Sequence, residues 1–262
     1  MRQRRPAPIA TFPDLAGKVA VVTGGSKGIG AATCRQLAAN GVKVAVLARH
    51  QAGIDAMVAE LGGLGAEALG LSADCTDLAS LAGARDRVVA ELGPVDILVA
   101  FAGGFGAATP IEEISEEEWR FVIDSNLTST FLTVKTFLPG MTARGEGSIV
   151  TMASNAARLL DIKLTASYAA AKAAIVMFTR HVAKEVGPRG VRVNCIAPAT
   201  TMSERIVVLM PPERLEEIAA LSPLGRIGIP EDTAAGVLYL VSESAGWITG
   251  ITLDVAGGRI ML

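Results

Sequence analysis

Residues 23–30 read TGGSKGIG, a glycine-rich turn that closes an apolar run and opens a helical one. Gly24, Gly28 and Gly30 lack a Cβ, so the backbone there can turn sharply and lie close to a diphosphate. The helix behind them offers that anion its unpaired N–H groups and positive dipole end. Upstream, residues 18–22 (KVAVV) are a β-branched run; downstream, Ile29, Cys34, Leu37 and Ala38 recur at helical spacing, and after Gly41 a second strand is predicted over residues 42–47. Strand, turn, helix and strand together form the βαβ unit of a dinucleotide-binding fold.

The alternation continues to the end of the chain. Helices are predicted over residues 52–61, 78–92, 115–138, 165–186 and 231–241, and strands over 68–72, 95–101, 148–152, 191–196 and 251–255. Strands that are apolar on both sides and separated by helices imply a doubly wound parallel sheet of about seven strands with helices on both faces, the Rossmann-type α/β class. No Pro/Ser-rich linker divides the 262 residues, so a single domain is expected over 15–262. Residues 1–14, MRQRRPAPIATFPD, hold basic residues and prolines but no apolar segment, and are expected to be a flexible leader and not a signal peptide.

Half of the residues are hydrophobic (50%) and the formal net charge is −2, which supplies a large core and no electrostatic case for nucleic acid. Every long apolar run is broken by glycine or a charge, so no membrane span is expected. Cys34, Cys75 and Cys195 are odd in number and far apart, which favours reduced, buried thiols in a cytoplasmic protein over a disulfide frame or a metal site.

Ligands of such a sheet lie outside the carboxyl ends of its strands. In chain order those places hold the glycine turn with Ser26, Lys27 and Ile29, then Ala48-Arg49, Asp74-Cys75, Ala102-Gly103-Gly104, Ser154, and residues 198–201 with Pro198, Thr200 and Thr201. Small and polar side chains gather where a dinucleotide would lie.

Tyr168 and Lys172 stand four apart in YAAAKAAIVMF, a run of strong helix formers, so both project from one helical face. An ammonium beside a phenol favours the phenolate and makes the hydroxyl a better proton donor or acceptor; an ordinary surface pair is the other reading of this spacing. Ser154, at a strand end, could donate to a carbonyl oxygen shared with the phenol. Asn126, inside a predicted helix, reads by itself as an exposed polar residue.

Together these residues resemble the short-chain dehydrogenase/reductase family, from Leu15 to the C-terminus. TGGSKGIG is similar to the family's TGxxxGxG cofactor turn, Ser154, Tyr168 and Lys172 match its catalytic triad, and Asn126 in DSNLTS matches the fourth catalytic member. RVNCIAP at 192–198, PLGRIGIPED at 223–232 and ITGITLDVAGG at 248–258 resemble the 3-oxoacyl carrier-protein reductase branch. The resemblance implies hydride transfer between a nicotinamide and a carbonyl or carbinol carbon. Tyr168 would be the acid or base at oxygen, Ser154 would hold that oxygen, Lys172 would bind the nicotinamide ribose and lower the Tyr168 pKa, and Asn126 would carry a relay water.

Two places depart from the family pattern. Ala100-Phe101-Ala102-Gly103 stands where Asn-Asn-Ala-Gly is usual, so polar bracing after the fourth strand is in question and Phe101 is expected to fill the space. Ala199 follows Pro198 where glycine is usual, which would leave the loop over the nicotinamide less free to bend.

The second strand ends in Ala48-Arg49-His50, without the carboxylate that accepts from a ribose 2′-hydroxyl in NAD-using folds. Arg49, with Ser26 and Lys27 on the same side, instead suits a 2′-phosphate, so NADP(H) is the expected cofactor. The expected function is reduction of a small or medium ketone, or oxidation of the alcohol; a cofactor-binding sensor or scaffold is the alternative. Residues 200–221, with Met202, Ile206, Val207, Val208, Leu209 and Met210 ahead of a Pro211-Pro212 break, are expected to be a lid over an apolar or mixed substrate. Surplus apolar residues on the two long helices (Phe131, Leu132, Val134, Ile175, Val176, Phe178), with the C-terminal GGRIML, suggest a homotetramer.

Overall fold

The computed structural model describes residues 8–105, 109–159, 164–203, 206–207 and 210–261. Seven strands form one sheet: β1 (Val19–Thr23), β2 (Lys43–Ala48), β3 (Ala68–Ser72), β4 (Ile97–Ala100), β5 (Gly147–Met152), β6 (Val191–Pro198) and β7 (Thr252–Val255). Their order is β3-β2-β1-β4-β5-β6-β7, and every pair is parallel. Successive residues of β1 point to opposite faces, Val19 and Val21 into one apolar cluster and Ala20 and Val22 into the other, which is why the strand is apolar without alternation.

Helices cover both faces. Against the Ala20 side pack α1 (Gly28–Ala39), α2 (Gln51–Gly63) and a later helix, Pro230–Val241, through Leu37, Leu61 and Leu238. Against the Val21 side pack α3 (Leu78–Glu91), α5 (Ser129–Arg144) and α6 (Ala166–Val186), through Leu81, Phe137 and Val182. Each fully buried leucine among these contributes about 1.5–3 kcal/mol relative to exposure. Strand order reverses at β1, where β2 lies to one side and β4 to the other, and this opens a crevice at the carboxyl ends.

Three predicted elements differ in detail. The helix expected over 115–138 is α4 (Glu116–Ile123) and α5 joined through a π-helical turn, Asp124–Thr128, and it runs on past Pro139 to Arg144. Pro211-Pro212 follows the end of the helical residues 206–207 and also begins a helix, α7 (Pro212–Ala220), because proline at the first helical turn gives up no hydrogen bond; the helix Pro230–Val241 is then α8. The leader is held from Ala10 onward: Asn40 donates to the Ala10 carbonyl and accepts from Phe12 N–H, Phe12 packs on the core, and Pro13–Leu15 forms a 3-10 turn with Leu15 fully buried. The first seven residues of the expected flexible leader lie outside the described residues.

All three cysteines are unpaired and buried, and burial pushes the Cys34 and Cys75 thiols up to about 12 and about 11. No helix among the described residues is long and apolar enough to cross a membrane.

Candidate active site

The glycine turn leaves β1 at Thr23 and enters α1. Gly28 adopts φ +52°, and a Cβ there would meet a single neighbour, Ser203 Cβ at 3.7 Å, so the space over the turn is open. At Gly30 a Cβ would collide with the Gly24 carbonyl oxygen, so helix and turn can approach this closely only without a side chain. Ser203 was not among the candidates, which ended at Thr201. Its signal in the sequence is a hydroxyl in the loop leaving β6, and nothing local says that this loop crosses to the glycine turn.

The other candidates follow the carboxyl ends of the strands. Ser26 and Ile29 are half-buried and Lys27 and Arg49 exposed. Asp74 accepts from both the backbone N–H and the hydroxyl of Thr76, at 2.8 and 2.7 Å, which holds its carboxyl below the usual range; Arg49 adds a smaller pull in the same direction. Cys75 is buried behind it. After β4 the bracing that the sequence put in question comes from Thr23, whose Oγ1 accepts from Phe101 N–H at 3.0 Å and Ala102 N–H at 3.1 Å, and Phe101 is buried in the apolar cluster as expected. Ala199 is pinned on both sides, its N–H donating to Val255 and its carbonyl accepting from Thr201 Oγ1. Pro198 is buried and Thr200 half-buried at the same place.

Three of the four catalytic candidates are organised around the end of β5. Ser154 Oγ accepts from Ala156 N–H at 3.2 Å, capping the turn Asn155–Ala157, and donates to Asn155 Oδ1 at 3.1 Å. Thr165 caps α6 and so fixes the start of the helix that carries Tyr168 and Lys172. The Tyr168 ring is buried with Val122 and Ala156 and meets Phe105 edge-on at 6.0 Å. Lys172 is buried, and its Nζ donates to the Met152 carbonyl at 2.9 Å and lies 5.6 Å from the centre of the Tyr168 ring. It is not a surface pair. Burial pushes the Lys172 ammonium down to about 8.

Asn126 sits in the π-helical turn and is fully buried, not exposed. Its Oδ1 accepts from Gly104 N–H at 3.1 Å, and its Nδ2 donates to the carbonyls of Gly104 and Val122, both at 2.9 Å. The wider turn frees backbone carbonyls, and side chains take them up: Ser129 Oγ donates to Ser125 and Thr130 Oγ1 to Asn126. A Cβ on Gly103 would stand 2.6 Å from Asn126 Oδ1, so Gly103 is what lets the loop after β4 approach. A phenol, a second hydroxyl and a buried cation beside an open dinucleotide crevice can bind a carbonyl oxygen and exchange a proton with it.

The short chain dehydrogenase family model matches residues 18–209. This chain belongs to that family. It is 38% identical to D-threitol dehydrogenase of Mycolicibacterium smegmatis, over 93% of each chain. It is 37% identical to the 3-oxoacyl-[acyl-carrier-protein] reductase FabG of Escherichia coli, over 95% of this chain and all of that one. A solved 3-oxoacyl-[acyl-carrier protein] reductase from Brucella melitensis with bound NAD superposes with a TM-score of 0.91 at 33% identity, covering 100% of this chain and 99% of that one. The protein is thus an oxidoreductase of the reductase-like branch that acts on alcohol or ketone groups and uses a nicotinamide cofactor. The open turn over Gly28 and the closed packing at Gly30 fit the diphosphate of such a cofactor.

Proposed function

We propose that this dehydrogenase uses NADP(H) to interconvert a small or medium, apolar or mixed ketone and its secondary alcohol. The observation that carries the reading is the convergence of Tyr168, Lys172 and Ser154 at the end of β5, with Lys172 anchored to the Met152 carbonyl. The bound nicotinamide supplies or accepts the hydride. In the reducing direction Ser154 Oγ turns from Asn155 to donate to the substrate oxygen, and the Tyr168 hydroxyl delivers its proton there as negative charge develops. Lys172 holds the nicotinamide ribose and favours the phenolate left behind. Asn126 fixes the loop after β4 through Gly104 and carries the water that returns a proton to Lys172.

NADP(H) is favoured because residues 48–50 offer a 2′-phosphate the exposed Arg49 and no carboxylate, while the Asp74 carboxylate is engaged by Thr76. The substrate class is drawn from the site itself: Phe105, Ala156 and Leu164 around Tyr168 form an apolar wall. Residues 200–221 act as a lid in this proposal. Met202, Met210 and Leu215 pack on Ile218, Ala219 and Ile227, Ile206 is buried and Val207 is exposed; Val208 and Leu209 lie outside the described residues.

We also propose a cytoplasmic homotetramer. Val134 and Ile175, expected at its surface, belong to the core of the subunit itself. Phe131, Met177 and the half-buried Phe178 stay outside, with Phe131 and Phe178 edge-on at 6.3 Å beside a groove between α5 and α6. Trp247, ahead of β7, is wholly exposed and Met261 in the C-terminal segment is 79% exposed, which supplies apolar side chains for a second interface. NADPH and NADH consumption with acetoacetyl thioesters, diketones and cyclic ketones tests the activity. A protein that binds NADPH but turns over none of them is a sensor, and the proposal fails.

A further inference from the structure

Arg158, four residues beyond Ser154, reaches across β6 to β7, where its Nη1 donates to Asp254 Oδ2 at 2.5 Å. Asp254 stands in register with Ala197 of β6, and Ala197 packs with Ile175 of α6. Neighbouring residues of parallel strands share a face, so Asp254 lies on the same side of the sheet as Tyr168 and Lys172. Met152 pairs with Ile196, which brings Ser154 level with Pro198. Asp254 is therefore two strand spacings from the Ser154 end of β5, on the order of 10 Å.

The second oxygen of this carboxylate, Oδ1, is buried and has no hydrogen-bond partner among the described residues. Such an atom calls for a donor. Asp254 lines a cavity of about 380 Å³ whose other wall is the loop of Ala199, Thr200 and Thr201 beside the nicotinamide place. Thr233, whose Oγ1 is also buried and without a partner among the described residues, lines the same cavity. The charged side chains in its wall are balanced: Arg226 and Arg259 against Asp232 and Asp254, with Arg226 and Asp232 joined by two hydrogen bonds. A carboxylate or phosphate would set a second anion beside Asp254. A neutral hydroxyl instead can donate to the Asp254 carboxylate and still accept from Thr233.

We propose that Asp254, held by Arg158, determines specificity by accepting a hydrogen bond from a second hydroxyl of the substrate, whose hydroxyl-bearing end occupies this cavity while its carbonyl or carbinol lies at Ser154 and Tyr168. The preferred substrates are then neutral hydroxyketones and diols. This rests on the activity proposed above. A hydroxyl that meets a carboxylate is a charge-assisted contact, enough for roughly tenfold preference.

The test compares kcat/KM for 4-hydroxycyclohexanone, cyclohexanone and 4-oxocyclohexanecarboxylate in the parent and in Asp254→Asn, which keeps the shape but replaces one acceptor oxygen by a donor. The parent is expected to prefer the hydroxyketone to both others by about tenfold or more, and the variant to lose most of that preference. A parent that treats hydroxyketone and cyclohexanone alike, or prefers the acid, overturns the proposal without needing the variant. So does a preference that survives in Asp254→Asn, or a parallel loss on all three substrates, which marks the ion pair as structural only. Turnover of cyclohexanone by the parent keeps the two proposals apart: with it, a missing preference counts against the hydroxyl site alone.

Discussion

The two ends of the crevice are built differently. At the cofactor end, residues 23–30 are fixed by contact with backbone: Gly30 has no room for a side chain beside the Gly24 carbonyl, and Thr23 Oγ1 accepts from the backbone N–H groups of Phe101 and Ala102. At the substrate end, the described residues of 199–221 are held by a backbone bridge from Thr201 to Gly228 and otherwise by apolar side chains, with Met202, Met210 and Leu215 on Ile218 and Ile227. A backbone-built site admits few sequences and does one task. A side-chain-built site can change its substrate while the chemistry beside it stays constant.

If the chemistry sits where the two ends meet, the largest effect belongs to Tyr168. Tyr168→Phe keeps the ring against Phe105 and Ala156 but removes the proton. Turnover should fall by ~10²–10⁴-fold with NADPH affinity nearly kept; single-turnover rates and fluorescence titration check this. A rate within a few fold of the parent would break the comparison, because the reactive end would then lie elsewhere.

Lys172 belongs to the proposed reactive end and carries a cost there. Its folded pKa of about 8 lies below the ordinary 10.5, so between those values the unfolded chain binds more protons and stability rises with pH. Below pH 8 the whole penalty is present. Lys172→Met should therefore abolish turnover yet make the cofactor-free protein more stable at pH 7, by an amount on the order of 1–3 kcal/mol, with the gap to the parent closing near pH 10. Urea unfolding at the two pH values checks it. A variant equally destabilised at both would show that the bond to Met152 outweighs desolvation.

The same contrast explains what could be read from the sequence. The five inner strands are mainly buried and write themselves as apolar runs, the half-buried edge strands β3 and β7 are legible from their place in the strand–helix alternation, and the glycine turn announces its own geometry. Ser154, Tyr168 and Lys172 are legible by spacing and family likeness, but that Lys172 anchors on Met152 depends on how α6 lies over β5. Asn126 sits in a π-helical turn that a 3.6-residue pattern does not reveal, and Ser203 meets the glycine turn only because a loop folds back over it. The Arg158–Asp254 pair joins residues 96 positions apart. Nothing local in either stretch announces it.

Arg49 sharpens the comparison at the cofactor end. Its guanidinium is exposed at the end of β2 and close enough to Asp74 to lower that carboxyl slightly. A charge-assisted contact to a 2′-phosphate contributes ~1.5–3 kcal/mol, so Arg49→Ala should weaken NADPH by roughly ten- to a hundredfold and leave NADH almost untouched. The measurement is the ratio of kcat/KM for NADPH and NADH in both proteins. A parent that prefers NADH would sink the assignment.

The smallest effect is expected at the lid. Val207 is 61% exposed while its neighbour Ile206 is 6% exposed, so one residue faces inward and the next offers an apolar side chain to solvent. An exposed valine in a segment beside the nicotinamide place gains by closing over an apolar substrate, and each CH₂ group it covers contributes ~0.8 kcal/mol. Val207→Ser removes that contribution without touching the core. Surface changes of this kind usually alter stability by no more than about 0.5 kcal/mol, so Tm should barely move. KM for an apolar ketone should rise about three- to tenfold, kcat should stay within about twofold, and KM for NADPH should not change. Steady-state kinetics with cyclohexanone beside a thermal melt decides it: an unchanged KM means that this face of the segment does not close on substrate, and the substrate end would then be as fixed as the cofactor end.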